Sequence, residues 1–184
     1  MSGPVPNGDS LDWLWAMALK PTPELHTERL VLTPLRVADA NEMVRVLADA
    51  ELYMFTGGNP PGLDDLEKRY QAQVEGLSTD REVWHNWIIR LQEPPTAVGF
   101  VQATIVSDTA DVAWVVGADW QRKGFASEAA TTVREWLETQ GVRQFSAHIH
   151  PGHEASGRVA LAIGLNATSE IDGDREVVWR SGNH

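Results

Sequence analysis

The sequence predicts a single α/β domain with a mixed sheet of about seven strands flanked by about four helices. Three observations lead there. Asp111–Val116 is a β-branched and aromatic run that Gly117 and Asp119 interrupt, and helical periodicity then starts at Phe125 and continues through Ala129, Val133, Trp136 and Leu137. Runs of strand composition recur on both sides of this unit, separated by stretches of helical period. Asp172-Gly173-Asp174 joins the last two as a hairpin. A chain of 184 residues with 42% hydrophobic content is enough for one domain with a substantial core.

Residues 1–23 read as an extension and 24–184 as the domain. The first nine residues are turn formers, and Ser10 is placed to cap a short helix through Leu11, Trp13, Leu14, Trp15 and Met17 that Pro21 and Pro23 would end. The two tryptophans in that segment need cover: the domain's own surface, a homodimer contact or a substrate lid. Within the domain, a strand is expected at 29–35, helices at about 39–49 and 63–76, and strands at 83–91, 97–106 and 111–116. The stretch Thr56-Gly57-Gly58-Asn59-Pro60-Pro61-Gly62 is a turn-rich, stiff link between the two helices. The helix from Phe125 runs to about 140, where Gly141 stops it; a strand at 144–149, a helix at about 153–163 and the closing hairpin follow.

Fifteen Lys and Arg against 26 Asp and Glu leave a formal charge of −11. That balance argues against nucleic acid as a partner and favours a small amine or a basic peptide. The absence of cysteine excludes a disulfide framework, a thiolate nucleophile and a cysteine metal site. No apolar run approaches a membrane span, and Asp9 and Asp12 flank the first apolar residues without a basic stretch, so the expectation is a cytoplasmic protein with no membrane partner.

The run Gln121-Arg122-Lys123-Gly124-Phe125-Ala126, between a strand and a long helix, has the make-up of a pyrophosphate cradle. Unpaired N–H groups at a helix N-terminus and the helix dipole favour an anion there. Gly124 admits a phosphate because it has no Cβ, Ala126 keeps the first turn uncrowded, and Arg122 and Lys123 add positive charge. The bland alternative is an ordinary β-to-α connection.

The order Gln-x-x-Gly-x-Ala after a strand, an amphipathic helix, a strand, and His150-Pro151-Gly152-His153-Glu154-Ala155-Ser156 leading to Leu161-Ala162-Ile163-Gly164-Leu165 resembles the GCN5-related N-acetyltransferase (GNAT) family. The opening Thr27-Glu28-Arg29-Leu30-Val31-Leu32-Thr33-Pro34-Leu35, followed by Asp39-Ala40, resembles its ribosomal-protein N-acetyltransferase-like branch. The resemblance implies a mostly antiparallel sheet splayed between two central strands, with acetyl-CoA as donor and direct transfer to an amine of a small molecule or a protein N-terminus. It implies that the pantetheine arm bonds to the backbone of Trp114-Val115-Val116. The pyrophosphate would meet the backbone amides of Arg122 to Ser127, Phe125 and Ala126 included. Arg158 would join Arg122 and Lys123 in making the site locally basic.

Acyl transfer to an amine needs a neutral amine, a stabilised carbonyl oxygen and a departing thiolate. A backbone N–H near Val116 is the donor the resemblance implies. Asp111 stands where an acidic residue often sits on this strand, although Ser107-Asp108-Thr109-Ala110-Asp111 also reads as a turn, and Glu82 is less well placed. Many relatives carry a tyrosine at the position held here by Ala160, and the only tyrosines are Tyr53 and Tyr70. Ser156 is the alternative proton donor to the thiolate, or it packs on its own helix. His153 stands where asparagine is usual, as a cofactor contact or an acid/base group. His148, His150 and His153 have the residue type for zinc, but no acidic partner is evident from spacing and no metal is expected.

His85 alternates with apolar neighbours in Trp84-His85-Asn86-Trp87 and is expected either to line the substrate side or to be half-buried and satisfied. Trp84, Trp87, Trp114, Trp120, Trp136 and Trp179 fall in or beside predicted elements and are mostly core, with Phe55 and one or two of them walling an acceptor pocket. Residues 51–62 shape that site in similar proteins. The competing class is a non-catalytic acyl-CoA-binding or sensor module, supported by the missing tyrosine and the Asn-to-His departure; a dimerisation protein would leave the cradle unexplained.

Overall fold

The computed structural model describes residues 21–76 and 82–182. The expected Leu11–Met17 helix and its two tryptophans lie outside them. The chain runs β1 (Leu25–His26), β2 (Leu30–Pro34), α1 (Ala40–Val46), α2 (Leu63–Gly76), β3 (Val83–Leu91), β4 (Thr96–Val106), β5 (Thr109–Val116), α3 (Phe125–Thr139), β6 (Gln144–Ile149), α4 (Glu154–Ala162), β7 (Leu165–Ile171) and β8 (Val177–Ser181). All eight strands form one sheet in the order β1-β2-β3-β4-β5-β6-β8-β7. Every neighbouring pair is antiparallel except β5 and β6. That pair is parallel because α3 carries the chain back across the sheet between them, as a parallel connection requires.

Alternation sorts the side chains into two cores. One face buries Leu30, Leu32, Trp87, Val101, Ala103, Ile105, Ala110 and Val112 against Phe125, Ala129, Ala130, Val133 and Leu137 of α3 and Ala160 of α4. The opposite face carries a smaller core in which Met43 and Val46 of α1 and Leu66 and Tyr70 of α2 cover Ile88 and Ala97. Leu137 is fully buried, so Leu137→Ala would cost about 2–5 kcal/mol. Gly141 ends α3 in the left-handed region at φ 97, and Val142 N–H returns to the Leu137 carbonyl at 3.1 Å.

The structure departs from the sequence expectation in several places. The two-residue strand β1 is an eighth strand, too short to leave a periodic signal. The helix expected at 39–49 ends at Val46, and Ala50–Tyr53 forms a separate 3₁₀ turn capped by Asp49, whose side chain accepts from Glu51 N–H. Asp39, in the 3₁₀ turn before α1, accepts from Arg36 N–H at 2.7 Å and from Arg90 Nη2 of β3 at 2.6 Å.

The turn read at 107–111 is shorter than expected. Ser107, at φ 54, turns the chain, and β5 begins at Thr109, which places Asp111 inside the strand. Of the tryptophans, Trp87 is fully buried, whereas Trp114, Trp120, Trp136 and Trp179 pack at the edge of the larger core. Thr22 and Pro23, read as extension, are tied to the domain: Thr22 Oγ1 lies 2.9 Å from His85 Nδ1 and Trp87 Nε1 donates to the Pro23 carbonyl at 2.7 Å.

His85 does not line a substrate face. It is 2% exposed, edge-on to Trp136 at 5.0 Å, and burial lowers its pKa to about 4.

Candidate active site

β5 and β6 stay paired only at Thr109↔Gln144, Ala110↔Phe145 and Asp111↔Ser146. Beyond Asp111 each strand keeps its other neighbour: β5 follows β4 to Val116, and β6 follows β8 to Ile149. The sheet therefore opens between them, and the β6-facing edge of residues 112–116 has no strand partner among the described residues. Backbone N–H and C=O groups along such an edge are ready to bond an extended ligand. At the far end of the open stretch, beside Val115 and Val116, the β5 main chain presses closely on β4. A Cβ built on Gly99 would stand 2.1 Å from the Val115 carbonyl oxygen, so only glycine admits this approach.

β5 leads into the cradle. Gly124, at φ 81, precedes α3, and Arg122 is also left-handed at φ 59. Alternating left-handed residues turn successive N–H groups toward one concavity, an arrangement that binds anions. The first backbone bond into the helix is Glu128 N–H to the Gly124 carbonyl at 3.0 Å, which leaves the N–H groups of Phe125, Ala126 and Ser127 outside the helical ladder.

A non-glycine residue in the left-handed region costs roughly 1–3 kcal/mol, so the surroundings must hold it. They do so from both ends. Gln121 Nε2 donates to the Val116 carbonyl at 3.1 Å, and Arg29 Nη1 donates to the Lys123 carbonyl at 3.0 Å.

Arg29 is the part of the cradle that sequence reasoning missed. Its Nε and Nη2 hold the Glu128 carboxylate at 2.8 and 2.5 Å, and its guanidinium lies 4.8 Å from the centre of the Phe125 ring. Burial alone would raise the Glu128 pKa, but hydrogen bonds from Thr27 and Arg29 outweigh it and hold the carboxyl below its usual range. The pair ties β2 to the first turn of α3. Arg29 precedes Glu128 by 99 residues, and no local pattern links them. Lys123 Nζ, by contrast, donates to the Asp119 carbonyl at 2.9 Å, and the exposed Arg158 lies 3.8 Å from Glu154 on its own helix.

The turn after β6 supplies the second group. His153 is the N-cap of α4, and its Nδ1 accepts from Ser156 N–H at 3.5 Å. In a neutral imidazole that accepts at Nδ1, the proton sits on Nε2, which is then a donor. One ring thus performs both tasks of an asparagine amide at a cap: one atom accepts inside the turn and another donates outside it. Burial, and then the neighbouring His150, lower the His153 pKa, which favours this neutral form. Phe55, from the link before α2, stacks on His153 at 4.6 Å and tilts against His150 at 5.3 Å. Ser156 is half-buried in the first turn of α4, and Ala160, one turn on, is fully buried.

Asp111 belongs to a different cluster. Ser146 Oγ donates to its carboxylate at 3.0 Å, His148 Nε2 is 3.8 Å away, and His148 Nδ1 is 2.6 Å from Asp172. These are the acidic partners that spacing failed to reveal for His148. Burial raises the Asp111 pKa against the opposing effects of His148 and Ser146. Burial would lower His148, but Asp172 and Asp111 outweigh it and raise its pKa. Asp111 and Val116 stand five strand residues apart, about 17 Å. One acetyl carbonyl cannot touch both. No group of three or more His, Cys, Asp or Glu side chains among the described residues is arranged to hold a metal ion.

The family model of the acetyltransferase (GNAT) domain matches residues 29–166, well over half of the chain. The chain belongs to the GNAT acetyltransferase family. It is an acetyl-CoA-dependent N-acetyltransferase with an open, mostly antiparallel sheet and one parallel pair. This GNAT domain has the fold of several solved relatives. An acetyltransferase from Agrobacterium tumefaciens is 24% identical with a TM-score of 0.68, over 88% of this chain and 95% of that one. The ribosomal L7/L12 α-N-protein acetyltransferase RimL, solved with coenzyme A, is 14% identical with a TM-score of 0.72, over 86% and 96%. AAC(6')-Ib, solved with ribostamycin and coenzyme A, is 15% identical with a TM-score of 0.70, over 84% and 93%. No curated protein sequence is significantly similar to this chain. No helix among the described residues is long and apolar enough to cross a membrane.

Proposed function

We propose that the domain seats the acetyl-CoA pyrophosphate on the N–H groups of residues 122–127 and the pantetheine arm along the open edge of residues 112–116. An acceptor amine then approaches from the face of α1 and α2. The observation that carries this reading is the parallel pair that opens after three residues and leads straight into a cradle with two left-handed residues. When bound, acetyl-CoA supplies the acetyl thioester. The chain's own groups have distinct tasks: a backbone N–H near Val116 donates to the acetyl carbonyl oxygen, His153 Nε2–H orients the arm, and Ser156 Oγ–H gives a proton to the sulfur as it leaves.

Asp111, at the far end of the opening with His148 and Ser146 near its carboxylate, takes the amine proton only through a chain of several waters, because it stands about 17 Å from Val116. Arg122, Lys123 and Arg158 make the donor side locally basic within a chain of net charge −11. The acceptor is a small-molecule amine or a protein N-terminal amine. Both kinds are represented by the solved relatives, an aminoglycoside complex and a ribosomal-protein enzyme. Cytoplasmic residence is part of the proposal and is tested by fractionating cells that express the full chain.

The decisive experiment measures acetyl-CoA binding by calorimetry and acetyl transfer to a panel of primary amines. Binding with turnover on at least one amine is expected. Binding without any turnover would favour the second reading, a non-catalytic acyl-CoA-binding module, which the buried Ala160 at the usual tyrosine position supports.

A further inference from the structure

A cavity of about 100 Å³ opens between α2 and strands β3 and β4, lined among others by Arg69, Tyr70, Gln73, Asn86, Phe100 and Gln102. It lies on the same face of the sheet as the proposed acceptor approach. The register places Asn86 beside Gln102, and Gln102 beside Ala113 on the exposed side of the open strand. Ala113 is solvent-exposed and small. The cavity therefore begins one strand spacing from β5 and ends near two, about 5–10 Å away.

Its one charged group, Arg69, is a cation, and its other polar groups are a phenol and three neutral amides. Tyr70 is 5% exposed, yet its hydroxyl has no hydrogen-bond partner among the described residues. Burial raises the phenol well above its ordinary pKa, so it stays protonated and able to donate. Gln73 Nε2 donates to Gln102 Oε1 at 3.4 Å, which leaves the Gln102 amide donors for other partners. Arg69 is exposed at the rim, its charge opposes the burial that raises the Tyr53 and Tyr70 phenols, and it has no ion pair among the described residues. The lining contains no carboxylate. Asp39, the acidic group that Tyr70 senses, is already bound by Arg90 and by Arg36 N–H. A buried donor without a partner is unfavourable unless something accepts from it.

We propose that this pocket seats a carboxylate of the acceptor, about 5–10 Å from the amine that is acetylated. The inference rests on the acetyltransferase reading and refines it. The overall charge suggests a polycationic acceptor, but the pocket beside the open strand selects against a second ammonium and for an anionic oxygen group. A peptide N-terminus followed by an acidic side chain has the required spacing, and so does a small amino acid with a long side chain.

The test uses the full chain and three dipeptide amides with the same N-terminal amine, Ala-Glu-NH₂, Ala-Gln-NH₂ and Ala-Lys-NH₂. Wild type should acetylate Ala-Glu-NH₂ with a kcat/KM about tenfold or more above that for Ala-Lys-NH₂, with Ala-Gln-NH₂ between. Tyr70→Phe and Arg69→Gln should each shrink that preference, mainly by raising KM for Ala-Glu-NH₂. Tyr70→Phe removes an unpartnered hydroxyl, so its thermal midpoint should equal or exceed wild type. Equal rates on all three peptides, or a preference that survives both variants, would overturn the proposal.

If no peptide is acetylated, calorimetry on the CoA-loaded protein decides the two readings separately. Binding of Ala-Glu-NH₂ that the double variant loses upholds the pocket while the transfer reading fails. Binding that the double variant keeps, or none up to millimolar peptide, overturns the pocket.

Discussion

The donor side of the molecule is built from main chain and the acceptor side from side chains. The cradle at 121–127 and the open edge at 112–116 offer backbone N–H and C=O groups, shaped by left-handed residues at 122 and 124 and by the glycine at 99. The pocket under α2 offers a phenol, three amides and a guanidinium drawn from one helix and two strands. Main-chain recognition suits a donor that never changes, because backbone geometry tolerates many side chains as long as the turn is kept. Side-chain recognition suits an acceptor, because one substitution can redirect it. The same split predicts which substitutions abolish binding and which only redirect it.

Acid should break the donor side first and most strongly. His85 packs against Trp136 of α3, and its pKa is lowered to about 4 from 6.5 by burial. The unfolded chain takes up the proton near pH 6.5, whereas the folded protein does so only near pH 4, so between those values unfolding gains protons and stability falls as pH falls. The loss across that window is about 3 kcal/mol. Denaturant midpoints at pH 7 and pH 4 check it. His85→Phe should flatten this part of the dependence, and an equally steep loss in that variant would assign the acid sensitivity elsewhere.

Gly124→Val should reduce acetyl-CoA affinity about a hundredfold or more, because a β-branched side chain is strained at φ 81 and intrudes where the pyrophosphate is placed. Strain of about 1–3 kcal/mol should lower the thermal midpoint without unfolding the protein. Calorimetry on the folded variant is the check, and wild-type affinity would remove the cradle from the donor site. Peptide selectivity at the α2 pocket should be untouched by it.

Ser156→Ala should lower kcat by about tenfold and leave acetyl-CoA affinity within about twofold, since the hydroxyl acts on the departing sulfur. An unchanged kcat on the best amine would reduce Ser156 to a packing residue in the first turn of α4. The smallest effect belongs to His153→Asn. Asparagine caps a helix and donates from its amide as the neutral imidazole does, so activity should stay within about twofold and any rate change near the histidine pKa should flatten. A hundredfold loss of kcat with acetyl-CoA affinity intact would make His153 an acid or base and contradict the contact role.

The sequence by itself determined the parts of this protein whose causes lie within a few residues. The strand, turn and helix around Gly124, the stop at Gly141, the hairpin at 172–174 and the start of a helix near 153 all follow from φ preferences, missing N–H partners and apolar period, and these act between near neighbours. Resemblance then assembled these pieces into the GNAT fold. Only the tertiary structure decided where distant segments meet. It showed that β5 leaves β6 after three pairs, that Arg29 braces Lys123 and Glu128, and that Phe55 covers His153. It put His85 wholly in the core, where the sequence allowed either a half-buried or a substrate-facing side chain, and it separated Asp111 from Val116 by the length of the opening. Sequence periodicity records which face of a strand is apolar but not which segment will cover it. The pocket of Tyr70, Asn86 and Gln102 therefore left no pattern in the chain, because its residues become neighbours only when α2 packs on β3 and β4.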